Sequence, residues 1–327
     1  MVLILSKTQI VSLLTMRECI EAVEGAFREL AVGSAIMPTR VSLSMEANEG
    51  WLGLMPAFLS KAKSLTTKIV TVYPRNASQH GLPNVLALIV LNDPETGRVE
   101  AIMDGSYITA MRTGAVGGVA TKYLARKSAT SLGIFGCGVQ ARTQLEAVRE
   151  VREIKSVMVY DSDPNRMHEF ISKVAYITKV EPTKMPEEVV RNSDIIVTAT
   201  TSKVPVFNGA DLRPGCHINA IGAFTPDARE LDDHTISKAK IVIDYSPAIM
   251  EEAGDIIIPI RNKVIRREHI WAELGSIVVG SQQGRTSDEE ITVFKSVGLG
   301  IQDAAVARVV FEKAKREVVG TEISISD

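Results

Sequence analysis

An α/β protein in two parts, a doubly wound parallel sheet domain and a separate α+β domain, is what this 327-residue sequence predicts. Three observations carry the prediction. From about residue 131 onward, short apolar runs alternate with helical patterns, the rhythm of βαβ units. Between about residues 36 and 103 the apolar period is two, with turn residues between runs, which reads as an antiparallel or mixed sheet. At the head of the alternating region, Leu132-Gly133-Ile134-Phe135 leads into Gly136-Cys137-Gly138-Val139-Gln140-Ala141, a G-x-G-x-x-A turn between a strand and a helix.

Each element follows from local chemistry. Thr15-Met16-Arg17-Glu18 reads as a capping box, and Met16, Ile20, Val23, Phe27 and Leu30 then recur at helical spacing, so an amphipathic helix runs to near Gly33. Strands follow at 40–45, 51–55, 65–72, 85–91 and 99–103, the last pair joined by the turn Asp93-Pro94-Glu95-Thr96-Gly97. From Ser106 to about Arg126 small residues dominate, including Gly114, Gly117 and Gly118; glycine weakens a helix, so a helix here needs close packing. Buried strands are then expected at 131–135, 157–160, 194–200, 217–221 and 241–244, with a helix from Val139 and another from Pro164. The segment 298–318 is a helix that returns to the first domain.

Composition bounds the function. Hydrophobic residues make up 45% of the chain and charged residues 23%, the balance of a globular enzyme. A net charge of −2 implies no general attraction to nucleic acid or acidic lipid. Cys19, Cys137 and Cys216 have no paired spacing, and the five histidines form no ligand-spaced cluster, so neither a disulfide framework nor a metal site is expected. No apolar run reaches the length of a membrane span and Met1–Ser6 is too short for a signal sequence, so a cytoplasmic protein is expected.

The glycine turn is a Rossmann-type fingerprint: amides at a helix N-terminus face a pyrophosphate. Asp161, ending the strand after that helix, is placed to hold the adenine ribose and favours NAD; Arg166, five residues on, leaves NADP open. The residues expected to hold the cofactor are Arg112, Thr113, Gly136, Gly138, Val139, Gln140, Asp161, Arg166, Thr198, Thr200, Ile221 and Gly222. Cys137, inside the turn and with no histidine nearby in sequence, is structural.

Pro38-Thr39-Arg40, Thr67-Lys68, Gly81-Leu82-Pro83, Thr109-Ala110-Met111-Arg112-Thr113-Gly114-Ala115, the glycine turn and Gly298-Leu299-Gly300-Ile301-Gln302-Asp303 together resemble the ornithine cyclodeaminase and mu-crystallin family, over nearly the whole chain. The resemblance implies a homodimer built on the sheets of the first domain. It implies a substrate-binding and dimerisation domain of residues 1–114 with 302–327, and an NAD-binding domain of 115–301. It also implies that Arg40, Lys68 and Arg112 hold the carboxylate of a small amino or imino acid, with Lys68 and Arg112 catalytic and Asn84, Phe224 and Asp303 lining the pocket. A cation among the alternating residues 65–72 is consistent with that, because burying an unpaired charge is expensive.

One departure separates activities within the resemblance. Cyclodeaminases and the archaeal-type alanine dehydrogenase keep an acid after the fourth-strand region, whereas this chain reads Gly222-Ala223-Phe224-Thr225-Pro226-Asp227-Ala228-Arg229-Glu230-Leu231, with Phe224 at the acid position. Mu-crystallin and the ketimine reductases also lack the acid. Imine reduction needs only a hydride and one proton, whereas cyclodeamination needs a base to accept protons from an ammonium. The expectation is therefore NAD(P)H-dependent reduction of pyrroline-2-carboxylate or piperideine-2-carboxylate. Ornithine cyclodeaminase or alanine dehydrogenase activity, and a non-enzymatic ligand-binding role, are the alternatives.

Overall fold

The computed structural model describes residues 1–325, so Ser326 and Asp327, the end of the 302–327 segment, lie outside the described residues. The chain forms two compact units, Met1–Arg112 with Leu299–Asp327, and Thr113–Gly298. Their boundaries fall at 112/113 and 298/299, beside the 114/115 and 301/302 read from sequence. The first lies within one continuous helix, Gly105–Leu124, where local sequence gives no break.

The first unit is built on an 8-stranded mixed sheet. Gly50–Leu59, Ser64–Val72, Val85–Asn92 and Val99–Asp104 pair antiparallel in succession, and Val41–Met45 adds to the outer side of Gly50–Leu59. Val2–Leu5, not identified as a strand from sequence, pairs parallel with Val99–Asp104 and antiparallel with Thr321–Ile323. Two helices pack on the sheet and each other. Met16–Ala31 starts at the Thr15–Glu18 capping box, which the structure contains in both directions. Glu18 also pairs with Lys313 at 2.8 Å, and that ammonium together with the Thr15 hydroxyl holds its carboxyl down at about 2. The second helix, Gly300–Glu317, lies on Gly50–Leu59 and Ser64–Val72, so the returning helix expected from sequence is present.

The other unit is an 8-stranded parallel sheet. Numbered in chain order within the unit, its strands run 3-2-1-4-5-8-6-7, with strand 1 Ser131–Phe135 beside strand 4 Ile195–Thr198. Strand order reverses there, which is where a doubly wound sheet opens a crevice at its carboxyl ends. The α/β reading of the sequence is therefore borne out. Thr292–Lys295, last in sequence, inserts between His217–Ala220 and Lys240–Ile243. Leu132, Ile134, Leu145, Val148, Val157, Phe170, Ile195 and Val197 form the core beneath the first strands.

The glycine-rich helix finds the packing it needs within this unit. A Cβ at Gly114 would stand 2.5 Å from the Thr143 carbonyl oxygen, so only glycine lets Gly105–Leu124 approach Val139–Val151 this closely. Gln144 then donates to the Thr113 carbonyl at 2.7 Å. Arg152 closes the helix, its guanidinium donating to the carbonyls of Thr121, Lys122, Ala125 and Arg126. Among the described residues, no helix is long and apolar enough to cross a membrane.

Candidate functional site

The chemistry-bearing residues fall into one set in each unit. In the first, Ser64–Val72 alternates strictly: Ser64, Thr66, Lys68 and Val70 point beneath the helix Gly300–Glu317, and Ile69 points out. Ser64 donates to the Ala304 carbonyl at 2.7 Å, fixing strand against helix. Two positions before Ala304, the first turn of the helix presents Gln302, and between them Asp303, where the helix dipole favours an anion.

A buried charge cluster results. Lys68 Nζ donates to Asp303 Oδ2 at 2.6 Å, Arg112 Nε donates to Asp303 Oδ1 at 3.2 Å, and Arg112 Nη1 donates to Gln302 Oε1 at 2.7 Å. Lys68 is 1% exposed, Arg112 6% and Asp303 0%. Burial pushes the Lys68 ammonium down to about 7; Asp303 opposes that fall, while the charges of Arg112 and Arg40 add to it. Arg40, partly exposed just before the strand Val41–Met45, is thus close enough for its charge to act on Lys68. Lys68 and Arg112 thus share the single carboxylate of Asp303, and the Gln302 amide nitrogen is buried without a hydrogen-bond partner. An anionic ligand with acceptor oxygens is the chemical complement of such a cluster.

Asn84 takes a different place from the one assigned by resemblance. It is exposed, its Oδ1 accepts from the Ala77 amide at 3.0 Å and its carbonyl accepts from the Tyr73 amide at 2.8 Å. Its carboxamide closes the 73–84 loop instead of joining Lys68, Arg112 and Asp303.

In the other unit, the glycine turn has the geometry of a dinucleotide cradle. Gly136 has φ +90°, and a Cβ there would lie 2.6 Å from the Ala199 carbonyl oxygen, so glycine is required by the fold. Gly138 is different: a Cβ there would meet nothing within 4 Å. Nothing in the chain itself requires glycine at that position, whereas a pyrophosphate brought against the backbone does. Gly138 heads the 13-residue helix Val139–Val151 without a side-chain cap, leaving its amides available to an anion. Val139 is 70% exposed beside them, and Gln140 is partly exposed, its Oε1 3.4 Å from the Thr143 hydroxyl.

Asp161 is held by two amides, Cys137 N to Oδ2 and Asp163 N to Oδ1, both at 2.9 Å. Each oxygen keeps a lone pair for a ribose hydroxyl. Arg166 is exposed and sits 3.8 Å from Asp163, which caps that helix. Burial pushes the Cys137 thiol up to about 12, so it stays protonated and inert. These residues fit NAD.

Thr198 and Thr200, expected to hold the cofactor, are tied to an internal carboxylate. Thr198 is fully buried and its hydroxyl donates to Glu230 Oε2 at 2.8 Å; the Thr200 hydroxyl donates to Glu230 Oε1 at 2.7 Å. The internal carboxylate of Glu230, to which the sequence reading assigned no role, therefore occupies both hydroxyls. Gly222 is partly exposed and Ile221 8% exposed at the adjoining strand end, and Phe224 is 42% exposed.

A doubly wound nucleotide-binding unit joined in one chain to a unit with two buried cations on one carboxylate has the make-up of a dinucleotide-dependent enzyme. Residues 2–317 match the model of the ornithine cyclodeaminase/mu-crystallin family, and the chain belongs to that family. It is 44% identical to an alanine dehydrogenase of Archaeoglobus fulgidus, with 98% of each chain covered. It is 39% identical to a Δ1-pyrroline-2-carboxylate reductase of Bacillus cereus, over 98% of this chain and 99% of that protein. Among solved structures it resembles the Thermococcus litoralis Δ1-pyrroline-2-carboxylate reductase in complex with NADH and L-proline, with a TM-score of 0.96 and 46% identity over 98% of this chain and 100% of that one. It also resembles an archaeal alanine dehydrogenase dimer with bound NAD, with a TM-score of 0.94 and 43% identity over 99% of both.

Proposed function

We propose that this chain is an NADH-dependent reductase of a cyclic imino acid, pyrroline-2-carboxylate or its six-membered homologue, giving proline or pipecolate. The observation that carries the reading is the buried cluster of Lys68, Arg112 and Asp303, whose excess positive charge suits one carboxylate. Arg112 and Arg40 grip that carboxylate, and Asp303 orients Lys68 and Arg112. Lys68, held down at about 7, exchanges a proton at Nζ near neutral pH, where the imine nitrogen needs one. Bound NADH supplies the hydride. Asp161, with its oxygens fixed by amides, takes the ribose and disfavours a 2′-phosphate.

Phe224 separates this reaction from deamination. It places an aromatic ring where the deaminating relatives named by sequence resemblance keep an acid, so no base stands there to accept an ammonium proton. The nearby Asp227 is exposed, and a hydrogen bond to Thr225 holds its carboxyl low. The test is steady-state assay of the purified protein: NADH oxidation with pyrroline-2-carboxylate, against ammonia release from ornithine with NAD and oxidation of alanine with NAD. Turnover of ornithine or alanine at comparable kcat/KM sinks the assignment.

The chain also acts as a homodimer through the open face of the first unit's sheet. Val41, Leu43, Ile69, Leu86 and Leu88 are 37–60% exposed, and strand register sets Val41 beside Leu54, Leu54 beside Ile69, and Ile69 beside Leu88. A contiguous apolar face of this kind marks an interface, and the alanine dehydrogenase relative is a dimer. Leu88→Asp sets a charge in the middle of that face. Light scattering on the eluting protein is expected to show a dimer for the wild type and a monomer for the variant; an unchanged mass would place the interface elsewhere.

A further inference from the structure

Glu230 is a buried carboxylate of the second unit to which two separate segments converge. It is 0% exposed, yet its carboxylate accepts from five donors: the Thr200 amide at 2.7 Å and hydroxyl at 2.7 Å on Oε1, and the Thr198 hydroxyl at 2.8 Å, the Gly222 amide at 2.8 Å and the Ala223 amide at 3.3 Å on Oε2. Those donors come from two segments, 198–200 and 222–223, that leave the carboxyl ends of the neighbouring strands Ile195–Thr198 and His217–Ala220. The glutamate itself is fixed from behind. Its own amide and that of Leu231 donate to Asp255 Oδ1 at 2.7 and 2.9 Å, Asp255 pairs with Lys295 at 2.7 Å, and Lys295 donates to the Ala223 carbonyl. A Cβ on Gly222 would lie 2.5 Å from Glu230 Oε1, so the segment is closed down on the carboxylate.

The first two βα turns of a doubly wound sheet take the adenine mononucleotide, and the strands beyond the switch point take the other half. Gly136, Gly138 and Asp161 belong to the first of these halves. The segments that Glu230 ties together belong to the second. None of the bonds Glu230 makes is at the glycine turn.

We propose that Glu230 is the positioning residue for the nicotinamide ring end of the dinucleotide site, setting the backbone of 198–200 and 222–223 to receive the nicotinamide ring, none of its own bonds reaching the glycine turn. The proposal rests on the NADH-dependent reading above. It extends that reading from which cofactor binds to which buried group shapes half of its site.

The test is binding, measured without imino acid, so its outcome does not depend on which substrate the enzyme takes. Titration of the full-length protein with NADH, followed by the fluorescence of the bound dihydronicotinamide, is set beside calorimetric titration with ADP-ribose, which lacks the nicotinamide. Glu230→Gln turns one accepting oxygen into an amide facing N–H and O–H donors. Losing bonds to a buried carboxylate is expected to raise the NADH Kd about tenfold or more, with ADP-ribose within about twofold of wild type. Thr198→Val, fully buried and nearly isosteric, removes a single donor and keeps the proposal testable if the first variant folds poorly. Its expected effect is about threefold on NADH with none on ADP-ribose. Equal losses for the two ligands would reduce Glu230 to a general structural role, and unchanged NADH affinity in both variants would overturn the proposal outright.

Discussion

Lys68→Met is expected to lower kcat/KM for the cyclic imino acid about a thousandfold while leaving the NADH Kd near that of wild type. The size follows from what the substitution removes and what it strands. Lys68 Nζ lies 2.6 Å from Asp303 Oδ2 with both groups almost wholly buried, so methionine leaves that oxygen facing apolar surroundings with only Arg112 to compensate. The pocket then loses one positive charge on the carboxylate and, at the same time, the preference of Asp303 for holding Arg112 in place. Lys68→Arg is the control for charge alone: it keeps a cation with a different shape and no longer titrates near neutrality. In the wild type only the protonated lysine attracts a carboxylate, and its affinity for protons is pushed down to about 7, chiefly by burial. The KM for the imino acid is therefore expected to rise as pH is raised through about 7, and to stay flatter over that range in Lys68→Arg. A Lys68→Met enzyme with wild-type kcat/KM, or a KM that falls with rising pH in the wild type, would remove Lys68 from substrate binding.

Lys68 was legible through the Thr67-Lys68 resemblance, with which its place in an alternating strand agreed. A cation inside an alternating apolar strand has either a buried partner or an outward face, and the period alone does not choose between them. Lys295 ends the run Ile291-Thr292-Val293-Phe294 in the same way and is also fully buried, yet its strand follows a polar loop and carries no turn or glycine signal. Its insertion between strands far earlier in the chain is a tertiary fact that no local period encodes. The same holds for Val2–Leu5, a run too short to identify without its partners at Val99–Asp104 and Thr321–Ile323. The glycine turn, Asp161 and the strand-by-strand alternation were readable because backbone geometry there is set by adjacent residues. Glu230 was not, because its five donors lie seven to thirty-two positions away and only the fold gathers them. The strand-end place of Thr198 and Thr200 is legible, whereas the buried carboxylate that accepts from their hydroxyls stands 32 and 30 positions on and is invisible to local pattern.

Lys295→Met is expected to cost about 3–5 kcal/mol of stability in the second unit, because it removes one partner of a fully buried ion pair. Lys295 and Asp255 are 2.7 Å apart and each 0% exposed. Without the ammonium, the buried Asp255 loses its charge partner and keeps the amides of Glu230 and Leu231. Asp255→Asn alone leaves Lys295 charged with the Ala223 carbonyl as its bond, and it is expected to cost a similar amount. The double variant removes both charges and keeps a carbonyl oxygen for the two amides, so its loss is expected to be only about 1–2 kcal/mol, well short of the sum. The chain has two tryptophans, Trp51 in the first unit and Trp271 in the second. In a Trp51→Phe background, Trp271 fluorescence reports unfolding of the unit that holds the pair. Lys295→Met should lower that transition by roughly 10 °C, given about 2–4 °C per kcal/mol for a unit of this size. Additive losses in the double variant would mean that the two charges do not stabilise one another. The fold would then hold Ala223, Glu230 and Leu231 by their backbone bonds alone, and the framework proposed to shape the nicotinamide half would be Glu230 without its ion pair.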